Sequence, residues 1–218
     1  MSRISRKNKM RLLCIQASLR IQRSHSIAVA DAFVAAYEQS HAEDEIVTVN
    51  LFEASIPNFD GLAVQAKYTI LHGEGNSDEE MQAWKNVERV IEQFASADKY
   101  VFAVPMWNFG IPYRLKHYID VLVQPGYTFS YSEEVGYQGL VVGKPALVVY
   151  ARGGEYPAGT EAEAFDMQSK YFSLVLGFMG FTDVRSVIVE PTLQGGPDVA
   201  RTRVREAVDR AKELAVAF

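Results

Sequence analysis

The chain has 218 residues, 48% hydrophobic and 22% charged, an ordinary globular composition that can bury a full core without staples. Its formal net charge of −5 offers no basic stripe to neutralise phosphates, so no nucleic-acid partner is expected. The single cysteine, Cys14, excludes an internal disulfide, and no apolar run reaches membrane-spanning length, so no membrane partner and a cytoplasmic location are expected.

Residues 1–9 are basic and precede an apolar run of only four residues, Leu12 to Ile15, too short for the core of a signal peptide. They are read as a mobile tail, and residues 10–218 as a single domain. Arg11–Gln16 reads as a first strand, followed by a helix over Ser26–Glu38 with Ala30, Phe33, Val34 and Tyr37 on one face. Ile46–Leu51 is a second strand. Residues 56–76 are less regular, with Leu62, Gln65, Ala66, Thr69 and Ile70 in a partial helical pattern that suggests a lid or dimer arm. Ser77 and Glu80 form a capping-box signature for a helix over Asp78–Ala97. Lys99–Val104 is a third strand, and Tyr113–Val123 a helix with Leu115, Tyr118, Ile119 and Leu122 aligned. After residues 127–143, a second possible lid, come a strand at Pro145–Ala151 and a helix over Thr160–Met179 with Phe165, Phe172, Val175, Leu176 and Met179 together. Val184–Glu190 is the fifth strand, and Pro197–Val216 the last helix.

Strands alternating with helices predict an open parallel sheet covered on both faces, and nearly continuous apolar runs in strands one, three and four agree. Five strands suit the order 2-1-3-4-5, whose ligands sit beyond the carboxyl ends of the strands at the switch point. The loops after strands one, three and four are therefore the places to seek chemistry.

The first loop carries Ser18, Ser24, His25 and Ser26 at a helix start, beside Arg20 and Arg23. Amides at a helix N-terminus and neutral hydroxyls suit a phosphate, although a single serine capping the helix would also explain the pattern. Neither a P-loop nor the dinucleotide glycine fingerprint occurs, so a single terminal phosphate, as on flavin mononucleotide, fits better. The second loop, "PMWNFGIP", offers Met106, Trp107, Asn108 and Phe109 between Pro105 and Pro112. Core packing is the alternative for the aromatics, but flat walls and an amide suit a flat heterocycle. The third loop, Ala151, Arg152, Gly153 and Gly154, can bring backbone donors close to an electron-rich ring edge, or can be a plain turn.

These pieces, with "LKHYIDVLVQPGYTFSY", "GLVVGKPALVV" and "YFSLVLGFMGFTDV", resemble the FMN-dependent NADH-azoreductases, also described as NADH:quinone oxidoreductases, of the flavodoxin-like superfamily. The resemblance runs from Met10 onward. It implies a homodimer with one FMN per subunit, NADH or NADPH as donor, and a quinone or azo compound as acceptor in a ping-pong reaction. It places Ser18 and Ser24 to Ser26 at the phosphate, Met106 to Phe109 at the ring, and Ala151 to Gly154 at its pyrimidine edge. Asn108, Tyr131 and Phe178 would touch substrate, Phe178 from the partner subunit. Trp107 stands where many relatives carry Tyr, Ala151 where Ser or Thr is common, and His25 where Gln is frequent. No metal site and no side chain acting as catalytic acid are expected; His117, inside a helix, reads as structural. A flavodoxin-type electron carrier is the main alternative, and a phosphodiesterase-type hydrolase the lesser one, since the four histidines show no metal-binding spacing.

Overall fold

The computed structural model describes residues 9–73 and 75–218; the first eight residues of the expected tail lie outside the described residues. Five strands form one parallel sheet: β1 (Arg11–Gln16), β2 (Glu45–Asn50), β3 (Lys99–Pro105), β6 (Ala146–Ala151) and β7 (Val184–Val189). Their order is β2-β1-β3-β6-β7. This is the expected 2-1-3-4-5 arrangement once an antiparallel hairpin, β4 (Phe129–Ser132) and β5 (Gly136–Gly139), is set aside as a separate two-stranded sheet. The strands β3 and β6 lie at the centre. Every residue of β6 and all of β3 but Pro105 are buried, which explains their lack of polar alternation.

One face of the sheet is covered by α1 (His25–Ser40) and α6 (Gly196–Val216), which pack on each other through residues such as Phe33, Tyr37, Ala207 and Ala211. The other is covered by α3 (Asp78–Ala95), α4 (Tyr113–Leu122) and α5 (Met167–Met179), with α2 (Gly61–His72) against α3. The α3 capping box is present: Ser77 Oγ accepts from Glu80 N, and Glu80 returns its carboxylate to Ser77 N. Cys14 is buried in β1, and burial first, then Asp31, pushes its thiol up to about 12, so it behaves as a small hydrophobe.

One sequence expectation needs correction. The helix over Thr160–Met179 is interrupted: Glu161–Phe165 is a short 3-10 turn, and α5 begins afresh at Met167 with Asp166 as cap. Asp166 accepts from Ser169 N at 2.9 Å, so a carboxylate satisfies the new helix start and the periodicity resets there. Phe165 therefore leaves the buried face and is 51% exposed. The partial helical pattern at residues 62–70 is present as α2, in which Ala63, Ala66 and Thr69 are buried while Leu62 and Ile70 are half exposed. Residues 129–139 form the β4–β5 hairpin, seated on the end of α5. A Cβ on Gly139 would fall 2.3 Å from Gly180 N, so the two backbones touch as only glycine allows.

Candidate active site

The loop after β1 is tied to β3 by the Ala17 N–H, which donates to Ala103 O at 3.0 Å. A 3-10 turn at Ile21–Arg23 then delivers the chain to Ser24, the cap of α1. Ser24 Oγ accepts from Ile27 N at 3.4 Å and lies 3.2 Å from Ser26 Oγ. Ser18 Oγ accepts a long bond from Arg20 N at 3.4 Å. All three serines are buried, and the first turn of α1 carries no acidic residue, so its positive end is uncompensated by its own sequence. Burial, and secondarily Arg20, holds the half-buried His25 imidazole below its ordinary value, so it is neutral at pH 7. The capping role and paired hydroxyls coexist here: Ser24 caps the helix, and Ser26 lies beside it.

The loop after β3 closes on itself. Trp107 and Gly110 exchange two backbone hydrogen bonds of 3.0 Å each, with Asn108 and Phe109 at the turn. Their φ angles are 47° and 69°, both left-handed, the pattern of a type I′ turn. Asn accepts this conformation readily, whereas Phe is unfavourable by roughly 1–2 kcal/mol. Phe109 is nonetheless half exposed and meets Phe165 at 5.2 Å between centroids. Strain that holds an apolar ring out toward solvent makes Phe109 a candidate ligand contact. Trp107 forms a box with Phe52 (5.7 Å) and Tyr113 (6.3 Å) beside a cavity of about 890 Å³. Asn108, Phe59, His117 and Lys116 also line it. His117 Nε2 lies 2.9 Å from Pro57 O, a contact that pins the segment before α2.

The loop after β6 differs. Met106 N donates to Ala151 O at 2.8 Å, joining the two loops at their base. Arg152, expected at the ring edge, is only 2% exposed, and its guanidinium is bound inside the protein, to Asp166 at 2.8 Å and Glu190 at 3.3 Å. What this loop offers a ligand is the backbone of Gly153 and Gly154. The carbonyl of Gly153 is fixed, since it accepts from Leu193 N and Gln194 N at 3.0 Å each. Among the described residues neither glycine N–H donates a hydrogen bond. Neither glycine has a positive φ. A Cβ on Gly154 would meet the Tyr156 and Gln194 side chains at ordinary contact, 3.6 Å at the nearest, and one on Gly153 would come 3.0 Å from Leu193 Cδ1, the end of an exposed side chain that can shift. The chain itself thus does not demand glycine at either position, and a close-approaching ligand would.

Tyr131 and Phe178 share an aromatic cluster on the hairpin side. Tyr137 links them, 4.9 Å from Tyr131 and 5.6 Å from Phe178, and Phe129 lies 4.8 Å from Phe178. Phe52, Tyr113, Phe165 and Tyr137 were not anticipated. The first follows β2 at the same end of the sheet as the other loops, which is the signal in the sequence that points to it; the spacing of Phe165 matches the core face of α5.

The residues fit an FMN group: buried hydroxyls at an uncompensated helix start for the phosphate, a strained aromatic turn for the ring, and open amides at replaceable glycines for its polar edge. An open parallel sheet with such loops at the carboxyl ends of β1, β3 and β6 defines a nucleotide-binding protein of the doubly wound α/β class. The chain belongs to the flavodoxin-like fold family, whose model matches residues 10–215. It is 53% identical over 207 residues to the FMN-dependent NADH:quinone oxidoreductase of Nitratidesulfovibrio vulgaris strain DP4, covering 95% of this chain and 99% of the relative. Azoreductase from Bacillus anthracis strain Sterne superposes with a TM-score of 0.88 at 31% identity, covering 96% of this chain and all of that one. An FMN-dependent NADH-azoreductase from Bacillus anthracis strain Ames Ancestor, solved in complex with FMN, gives 0.84 at 28% identity over 94% and 99% of the two chains.

Proposed function

We propose that this chain is an FMN-dependent oxidoreductase that moves electrons from NADH or NADPH to quinones and azo compounds. The observation that carries the reading is the convergence of three complementary loops on one sheet edge, each suited to a different part of one ligand. FMN, when bound, supplies a centre that takes up and returns electron pairs, which lets donor and acceptor use one site in turn. Ser18, Ser24 and Ser26 bind the phosphate, with the neutral His25 and the Arg20 charge beside them. Met106, Trp107 and Phe109 wall the ring. Ala151, Gly153 and Gly154 face its pyrimidine edge, where backbone donors stabilise negative charge. Asn108, able to donate and accept, orients cofactor and substrate together. Tyr131 and Phe178, with Tyr137, give the acceptor flat apolar surface and exclude water.

A homodimer belongs to this reading. Its support is an apolar cleft of about 440 Å³ between α2, α4 and α5, where Leu174 is 70% exposed beside Tyr171 and Phe178. Residues 10–218 act as one domain, since both core layers share one sheet. No helix among the described residues is long and apolar enough to cross a membrane, and one buried cysteine suits the reducing cytoplasm. The electron-carrier alternative is not favoured, because a carrier needs no cavity of about 890 Å³ beside the ring wall; the hydrolase alternative has no support among the relatives. Steady NADH or NADPH consumption with menadione and with an azo dye, by the purified FMN-loaded protein alone, is the expected result. Turnover that appears only with an added reductase would favour the carrier.

A further inference from the structure

The Arg152 side chain has no open face for a ligand, yet it is the most elaborately bonded group near the site. Its Nε donates to Gln168 Oε1 at 3.0 Å, Nη1 to Glu190 Oε2 at 3.3 Å, and Nη2 to Asp166 Oδ2 at 2.8 Å. Its own backbone is locked as well: Arg152 N–H donates to Val189 O at 3.0 Å, and Arg152 O accepts from Thr192 N at 2.9 Å and Thr192 Oγ1 at 2.8 Å. Gln168 is fully buried; its Oε1 accepts from Arg152, and its Nε2 donates to Val104 O in β3 at 2.9 Å, one residue before Pro105. A single chain of bonds therefore runs from the loop after β6, through Arg152 and Gln168, to the end of β3.

Resting on the flavin reading above, we infer that Arg152 and Gln168 are positioning residues that set the spacing between the ring-wall loop at Met106–Phe109 and the glycine amides at Gly153–Gly154. The network ties the loop after β6 to Val104 O at the end of β3, while Leu193 N and Gln194 N hold Gly153 O, and among the described residues the Gly153 and Gly154 amides are left as free donors. Its dependence on geometry is built in. Three separate nitrogens of one planar fork serve three partners in different directions, which a lysine ammonium cannot reproduce. Gln168 carries no charge, so its share of the role is purely directional. Donors to the ring's pyrimidine edge matter more when the ring is reduced and carries more negative charge there. Displaced donors therefore weaken reduced FMN more than oxidised FMN. A network that served only stability would weaken both alike.

The test is anaerobic titration of apoprotein with oxidised and with two-electron-reduced FMN, for wild type, Arg152→Lys, Gln168→Met and Gly154→Ala. The expected result is that Arg152→Lys and Gln168→Met each cut the preference for reduced over oxidised FMN by about tenfold, equivalent to a midpoint potential about 30 mV lower. Inorganic phosphate, bound at the serine loop, should bind both variants as it binds wild type. Gln168→Met keeps charge and approximate volume, so it decides the matter if Arg152→Lys does not fold. A preference within twofold of wild type in folded variants, with Gly154→Ala weakened, overturns the positioning role alone. Unchanged affinities in Gly154→Ala overturn the loop reading, and the positioning role with it.

Discussion

The loops after β3 and β6 lie side by side and are made rigid by opposite means. The first closes on its own backbone, with Trp107 and Gly110 paired across a turn that forces Asn108 and Phe109 to positive φ. The second keeps an unstrained backbone at Gly153 and Gly154 and is anchored from behind by the buried Arg152. Under the proposed flavin reading, the difference follows from what each loop presents. A ring wall needs side chains, so the chain tolerates a strained Phe. A hydrogen-bonding edge needs bare amides, so the chain uses glycine and recovers rigidity through a long-range tether.

The largest effect should come from cutting that tether. Arg152→Met leaves Asp166 and Glu190 in a shared, mostly buried site without their cation. We expect a loss of roughly 3 kcal/mol, read from the urea midpoint; a loss below about 1 kcal/mol would mean that the network is not what holds this loop. The same site should show in pH dependence. Burial pushes the Asp166 carboxyl up, but bonds from Ser169 and Arg152 outweigh it and hold the group below the usual carboxylate range. A depressed folded value gives stability that is complete above the unfolded value, near pH 4, and lost as pH falls through the folded one. The urea midpoint of wild type should therefore drop in that acid window, and drop less steeply in Arg152→Met.

Changes at the self-closed loop and its neighbours should be milder. At the phosphate end, Ser24→Ala should cost about 1 kcal/mol by removing the α1 cap, whereas Ser26→Ala should weaken FMN about tenfold with little loss of fold. Equal effects of both on stability would undo that division. Phe109→Gly should sharpen the contrast: relief of the left-handed strain is worth roughly 1 kcal/mol. The melting temperature should hold or rise while FMN binds severalfold more weakly. A clear fall in melting temperature would show that Phe109 is held by packing on Phe165 rather than by the turn. Smallest of all, Trp107→Tyr should leave stability nearly unchanged and shift the ratio of kcat/KM for quinone over azo dye by a few-fold.

The sheet was legible because three of its strands are nearly unbroken apolar runs and the other two are rich in β-branched residues between clear helix signals, and all five were located to within a residue or two. The Ser77–Glu80 box was legible because it is local; a serine cap on the first helix was expected as well, without a choice among its serines, and the cap is Ser24. What escaped notice was non-local. The inward turn of Arg152 depends on Asp166 and Gln168, 14 and 16 residues further on, and on Glu190, 38 residues away. Phe165 looked like core because its spacing matched α5, and only the Asp166 cap breaks that register. Phe52 and Tyr113 join Trp107 through tertiary packing that no periodicity encodes.

The most direct test of the account is an anaerobic absorbance record of the purified, FMN-loaded protein. Adding NADH alone should bleach the flavin band and leave it bleached until menadione is added, when the colour should return without any partner protein. A protein that takes up no FMN, or whose bound flavin is bleached only in the presence of a separate reductase, would contradict it.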